Sequence, residues 1–249
     1  REGFYFLRGR DEIVDIRKDR FNPTCDKIKK ATRMAKIFSI FPWIKMVAVS
    51  NIIGSYNLRK DGDIDLLVVT KRNRIWVSRF FCVLIAMILR DRPKPGKEKD
   101  KTCLNFFISE DACDLKELRS QGEDIYLVFW VVGLVPVYNI DHTYEKFIKA
   151  NEWIKHKLPN WRLKIQVKEY PRPKPWVWRC FLGIMFGKCE NLLRKLQLKI
   201  MPKQLKDLMN KDTRVVVNER MIKLHSKDRR LKFQEEFRRN YQKCLDLLR

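Results

Sequence analysis

Two carboxylates one residue apart, Asp63 and Asp65, stand where a polar loop runs into the apolar segment Leu66 to Val69. That segment is apolar on both faces, as a central strand covered on each side should be. Side chains alternate along a strand, so the two acids point the same way at close separation. Like charges held together need a shared proton or a cation, and a divalent metal is the common answer.

Several chemistries use such a pair. Asp61-Gly62 is a common turn dipeptide, in which case the acids are solvated strand ends. A calcium loop of the EF-hand type fails, because its sixth position would be Leu66 instead of glycine and its twelfth Arg72 instead of glutamate. Glycosidase carboxylates sit further apart and usually come from different strands. Phosphoryl transfer remains, with paired aspartates holding Mg²⁺ against a nucleoside triphosphate.

The elements that must position these acids follow from periodicity. Lys45 to Ser50 reads as the first core strand and Asp63 to Thr70 as the second. Thr24 is a candidate N-cap for a helix whose apolar stripe runs from Ile28 to Phe38 and closes at Pro42. Arg74 to Arg90 predicts a helix, Cys103 to Ile108 a third strand, Asp124 to Gly133 a helix and Val135 to Tyr138 a short extended piece. The expected fold class is α/β (α+β), a mixed β-sheet with flanking helices at residues 24–140.

Beyond Asp141 strand signals largely vanish. Tyr144 to Lys157, Trp176 to Ile200, Pro202 to Asn210 and Ser226 to Leu248 read as helices. Only Arg214 to Val217 looks extended, so residues 141–249 are expected to be a mostly helical C-terminal region. Gly3 to Ile16 reads as a short β-segment and turn belonging to an element that precedes the chain.

The order of strand, Gly-Ser loop and Asp-apolar-Asp opening the next strand resembles the DNA polymerase β-like nucleotidyltransferase superfamily. The matching residues are Ile53-Gly54-Ser55 and Asp63-Ile64-Asp65-Leu66. The chain also looks like a group of uncharacterised bacterial proteins carrying this domain, through Tyr5 to Arg10, Asp63 to Thr70 with Arg74-Ile75-Trp76 and Arg79, Asn151 to Ile154 with Leu158-Pro159-Asn160, and Leu224-His225 with Asp228-Arg229-Arg230. The resemblance implies a nucleotidyltransferase core and a preceding winged-helix segment, of which residues 1–23 would be the remnant.

It also implies a chemistry. Gly54 and Ser55 would approach the triphosphate, with backbone N–H groups and the hydroxyl donating to phosphate oxygens. Asp63 and Asp65 would hold Mg²⁺, and an acceptor hydroxyl would attack the α-phosphorus of an NTP with release of pyrophosphate. Two departures stand out. Only seven residues separate Ser55 from Asp63, and a register shifted by three puts Ser50, Asn51 and Ile52 where the phosphate loop belongs. The third carboxylate of the resemblance falls on Leu104-Asn105-Phe106, and the Asn105 amide is a weak metal ligand that cannot act as a base. Glu110, Asp111 or Asp114 would have to substitute. The alternative expectation is a degenerate member that binds nucleotide or nucleic acid without turnover.

Other residues carry less. Arg74 and Arg79 open the helix after the second strand and could reach phosphates, or form a solvated helix face. His225 beside Asp228 reads as a structural hydrogen bond. Trp153, Trp161, Trp176 and Trp178 are expected in core or domain contacts.

A formal net charge of +24 over 249 residues favours polyanionic partners: nucleoside triphosphates, nucleic acid or an acidic membrane surface. Seven cysteines without C-x-x-C spacing, several inside apolar runs, suggest reduced thiols in a cytoplasmic protein, against a disulfide framework or zinc site. The longest apolar stretches are interrupted by arginine, so no membrane span is expected.

Overall fold

The computed structural model describes residues 1–50, 58, 60–120, 124–162, 170–171, 176–226 and 228–246. At its centre is a six-stranded mixed sheet in the order β4-β1-β2-β3-β6-β5. The strands are β1 (Ile44–Val49), β2 (Ile64–Thr70), β3 (Thr102–Ser109), β4 (Val135–Asn139), β5 (Val215–Val217) and β6 (Met221–Leu224). β2 pairs antiparallel with β1 and parallel with β3, the latter after the crossover helix α2 (Ile75–Ile88).

Alternation along β2 sorts its side chains into two layers. Ile64, Leu66 and Val68 face one core with Ala31, Met34 and Phe38 of α1 (Glu12–Phe38) and with Trp76 and Cys82 of α2. Leu67 and Val69 face the other, formed with Phe106, with Leu127 and Val131 of α3 (Ile125–Val132) and with Tyr144 and Phe147 of α4 (Thr143–Ala150). Both faces are therefore covered, which is why β2 reads as an uninterrupted apolar run. Truncating a fully buried residue of this run, such as Leu67, costs roughly 2–5 kcal/mol.

The remaining helices are α5 (Trp176–Phe186), α6 (Glu190–Lys199), α7 (Lys203–Leu208) and α8 (Arg230–Asp246). The second half is mostly helical, as expected. It also completes the sheet: β6 pairs with β3, and Val215, Val217, Ile222 and Leu224 join the α1–α2 core. The sequence reading missed β6, because Lys223 interrupts its apolar pattern. That lysine is nonetheless buried, with its ammonium donating to the carbonyl of Thr213.

Two further differences have physical causes. The helix expected from Thr24 begins at Glu12 and runs through Pro23, so residues 12–16 are helical instead of extended. Thr24 is interior: its hydroxyl donates to the Arg20 carbonyl and accepts from the Leu58 amide. The long helix expected from Trp176 to Ile200 is two, because a side chain at Gly187 would meet the Gly183 carbonyl at 2.5 Å and the chain turns there. All seven cysteines are free, and no helix among the described residues is long and apolar enough to cross a membrane.

Candidate metal centre and adjoining cavity

The sheet register sets the site. β2 starts at Ile64, leaving Asp63 at the rim of the sheet and Asp65 in the second pair, opposite Cys103 on β3. One carboxylate oxygen from each aspartate and the Cys103 sulfur all lie within 4.8 Å of one another. The Cys103 thiol lies close enough to both carboxylates to act as a hydrogen-bond donor to either, one at a time. Ser50, at the end of β1, closes the other side, with its amide 2.9 Å and its hydroxyl 3.3 Å from the Asp65 carbonyl oxygen.

The electrostatics are those of paired acids half-buried at the edge of a cavity. Burial, then the neighbouring Asp63 charge, pushes the Asp65 carboxyl up to about 6. Burial also raises Asp63, against the opposing pull of its backbone hydrogen bond, the Cys103 thiol and Lys27. Burial and the two carboxylates push the Cys103 thiol far above its ordinary value, so it remains a neutral donor to either of them.

This donor set fits Mg²⁺. That ion is commonly held by one or two carboxylates while its other positions go to water and substrate phosphates, as Asp63 and Asp65 would allow.

Comparisons with known proteins supply no relative. No family model, curated protein or solved structure matches the chain. What the site can do therefore rests on its own geometry.

Of the residues expected at a phosphate site, the structure brings Ser50 to Asp65, and it lines the adjoining cavity. Asn51, Gly54 and Ser55 lie outside the described residues. Asn105 shares a small hollow of about 180 Å³ with Asp63, Cys103 and Arg92. The register shift between Asp65/Cys103 and Leu67/Phe106 places an extra β3 residue there, so the partner of Asp65 is Cys103 where an unbroken register would put Leu104, and Asn105 is opposite neither aspartate.

Arg74 is not part of this constellation. It caps α2 beyond the C-terminal end of β2, the opposite end from the aspartates. Asp65 to Thr70 alone spans five residue steps, about 17 Å at ~3.3 Å each. The first turn of α2 is also already occupied by an anion: the Glu190 carboxylate accepts from the Trp76 and Val77 amides at 2.9 and 3.0 Å. Arg79 is directed to Gln197 Oε1 at 2.7 Å.

Glu110, Asp111 and Asp114 are likewise at the wrong end. The Glu110 amide bonds the Thr70 carbonyl, Asp111 accepts from Ser109, and Asp114 accepts from the Lys116 amide. None of them substitutes for a third carboxylate beside Asp63 and Asp65.

Two spaces flank the aspartates. On the α1 side, a cleft of about 640 Å³ is lined by Lys27, Lys29, Lys30, Arg33, Lys60 and Lys99, with Asp26 and Asp100. Lys27 links this cleft to the centre, donating to the Gly62 carbonyl and acting on the Asp63 charge. On the α3 side, a cavity of about 410 Å³ opens at Asp65 and Ser50 and is walled by Phe106, Tyr126, Trp130 and Phe233.

Sequence reasoning did not find this second cavity, because its walls come from β3, α3, β6 and α8. His225 lines it, with its ring edge-on to Phe106 at 6.0 Å, and burial with the Lys223 charge pushes the imidazole down to about 4. The imidazole is therefore neutral near pH 7. The expected His225–Asp228 hydrogen bond is replaced by another pairing, since the Asp228 carboxylate is taken by Arg230 at 2.6 Å.

Proposed function

We propose that this protein is a Mg²⁺-dependent nucleotidyltransferase that transfers a nucleoside monophosphate from an NTP to an acceptor hydroxyl. The observation that carries this reading is the pairing of Asp63 and Asp65 at the mouth of a central strand, buried enough to disfavour two bare charges. Asp63 and Asp65 would hold a divalent cation, which would relieve that cost and supply positive charge for the phosphates. A basic cleft on the α1 side, lined by Lys29, Arg33, Lys60 and Lys99, adds positive charge that favours a triphosphate; Lys27 itself is buried and paired with Asp100.

In this reading Asp63 and Asp65 hold the cation and orient the α-phosphate for in-line attack. The acceptor oxygen forms a bond to the α-phosphorus, the bond to the bridging oxygen breaks, and pyrophosphate leaves. The acceptor proton passes to solvent; His225 lines the cavity at Asp65, but an imidazole pushed down to about 4 is too weak a base to take that proton efficiently near pH 7.

A second reading, nucleotide or nucleic-acid binding without turnover, draws on the placement of Glu110, Asp111 and Asp114 far from the pair. Pyrophosphate release with each NTP in the presence of Mg²⁺ separates the two. The enzyme reading requires release by the wild type and its loss, by a hundredfold or more, in Asp63→Ala and Asp65→Ala. A wild type that gains thermal stability from NTP and Mg²⁺ but releases no pyrophosphate establishes the binding reading instead.

A further inference from the structure

Helix α8 leaves the candidate centre carrying an aromatic ladder. Phe233 lines the cavity at Asp65 and stacks on Tyr126 with ring centroids 5.8 Å apart and planes at 6°. Four residues on, Phe237 stacks with Tyr241 at 6.0 Å and 7°. Spacings of four residues keep Phe233, Phe237 and Tyr241 on one face of the helix, about 6 Å apart along its axis. They are 44%, 42% and 57% exposed, where aromatic rings of this size would ordinarily be covered.

The flank of this face is basic. Arg229 also lines the cavity, and Lys232, Arg239 and Lys243 follow at helical spacing, all exposed. Three acids interrupt the helix: Glu236, paired with Lys232 at 3.9 Å, Glu235, and Asp246 at its end, which accepts from Gln242. Flat rings beside a row of cations match a strand whose bases offer π-faces and whose backbone is anionic. A duplex hides its base faces, and an acidic protein surface would match the charge but offers no row of flat π-faces to the rings. The start of the ladder is fixed, because Arg230 is buried and bonded to Leu118, Asp124 and Thr213.

We propose that the Phe233–Phe237–Tyr241 face of α8 binds single-stranded nucleic acid and leads its end into the cavity at Asp65. Its role as the acceptor rests on the nucleotidyltransferase reading; the binding itself does not.

Fluorescence anisotropy with a labelled single-stranded oligouridylate, its duplex form and vesicles containing phosphatidylglycerol tests this on the full chain. The expected result is tighter binding to the single strand than to the duplex, weakened about tenfold or more by Phe237→Ala with Tyr241→Ala. Phe237→Tyr with Tyr241→Phe should bind as the wild type does, which separates loss of stacking from loss of the helix. Arg239→Gln with Lys243→Gln should reduce the slope of log affinity against log salt by about 1.4.

Equal binding by wild type and the double alanine variant overturns the proposal. So does binding to vesicles, or self-association through this face, without single-strand binding. Pyrophosphate release from NTP without oligonucleotide binding removes the track and leaves the enzyme reading standing. Oligonucleotide binding without any release removes the acceptor role and leaves the track.

Discussion

Cys103 on β3 faces Asp65 on β2 across a parallel ladder, and its thiol is a neutral hydrogen-bond donor to either aspartate of the centre, one at a time. That donor only partly offsets the burial of Asp65, whose carboxyl titrates at about 6 against an ordinary 3.8. A raised carboxyl means that the folded state holds a proton the unfolded chain has lost. The penalty is absent below about pH 4, grows as pH rises through that window, and is complete above about pH 6. In EDTA, Asp65→Asn should therefore be more stable than the wild type at pH 7, by about 1–3 kcal/mol, and equal to it near pH 4. Urea denaturation at the two pH values checks this. A pH-independent difference would rule out the linkage, and Mg²⁺ should narrow the gap at pH 7.

The same contact predicts the effect of adding the acid that the centre lacks. Cys103→Asp places a third carboxylate beside two that are already disfavoured as charges. Without metal the variant should melt below the wild type. With Mg²⁺ it should gain more than the wild type does, because a third oxygen ligand replaces a thiol that hard cations bind poorly. Melting temperatures with EDTA and with Mg²⁺ measure both halves; an unchanged Mg²⁺ response would place the cation away from Cys103.

The aspartate pair was legible in the sequence because strand alternation needs only neighbouring residues, and Leu66 to Val69 could be nothing but a covered strand. The ends of α3 were legible too: Asp124 accepts from the Leu127 amide and Gly133 closes the helix. Register was not. Which β3 residue faces Asp65 depends on a bulge between Cys103 and Phe106 that no local pattern encodes, so attention fell on Asn105. The cavity was invisible for a related reason, since Asp65, Tyr126, His225 and Phe233 are brought together only by a sheet that closes through the short hairpin β5–β6. Arg74 misled because proximity in sequence to β2 meant the far end of the strand.

Glu190 gives a prediction independent of any activity. Its two carboxylate oxygens accept from consecutive amides in the first turn of α2, joining α6 to the helix that crosses over the sheet. Such charge-assisted caps contribute about 1–2 kcal/mol. Glu190→Ala should lose about that much in urea denaturation, and Glu190→Gln roughly half, because the amide keeps one acceptor and forfeits the charge. Equal stability of Glu190→Ala and wild type would show that solvent satisfies those amides as well as the carboxylate does.

Arg230 carries the last and largest effect. Its guanidinium, 8% exposed, bonds the Asp124 carboxylate at 3.0 Å, the Leu118 carbonyl at 2.6 Å and the Thr213 hydroxyl at 2.5 Å. It thereby ties α3 and the loop before β5 to the first residue of α8, and its partner Asp124 is 1% exposed. Removing one member of a buried pair leaves the other charge without its partner, at roughly 3–5 kcal/mol. Arg230→Met should cost about 3 kcal/mol, at the lower end, because Asp124 keeps the amides of Ser120 and Leu127. Adding Asp124→Asn should then cost less than it does in the wild type, since the more deeply buried of the two carboxylates that Arg230 pairs, Asp124 and Asp228, is no longer charged. A double-mutant cycle should return a coupling of about 1–3 kcal/mol. Additive losses would mean that Arg230 stabilises the wall of the cavity through Leu118, Thr213 and Asp228 alone.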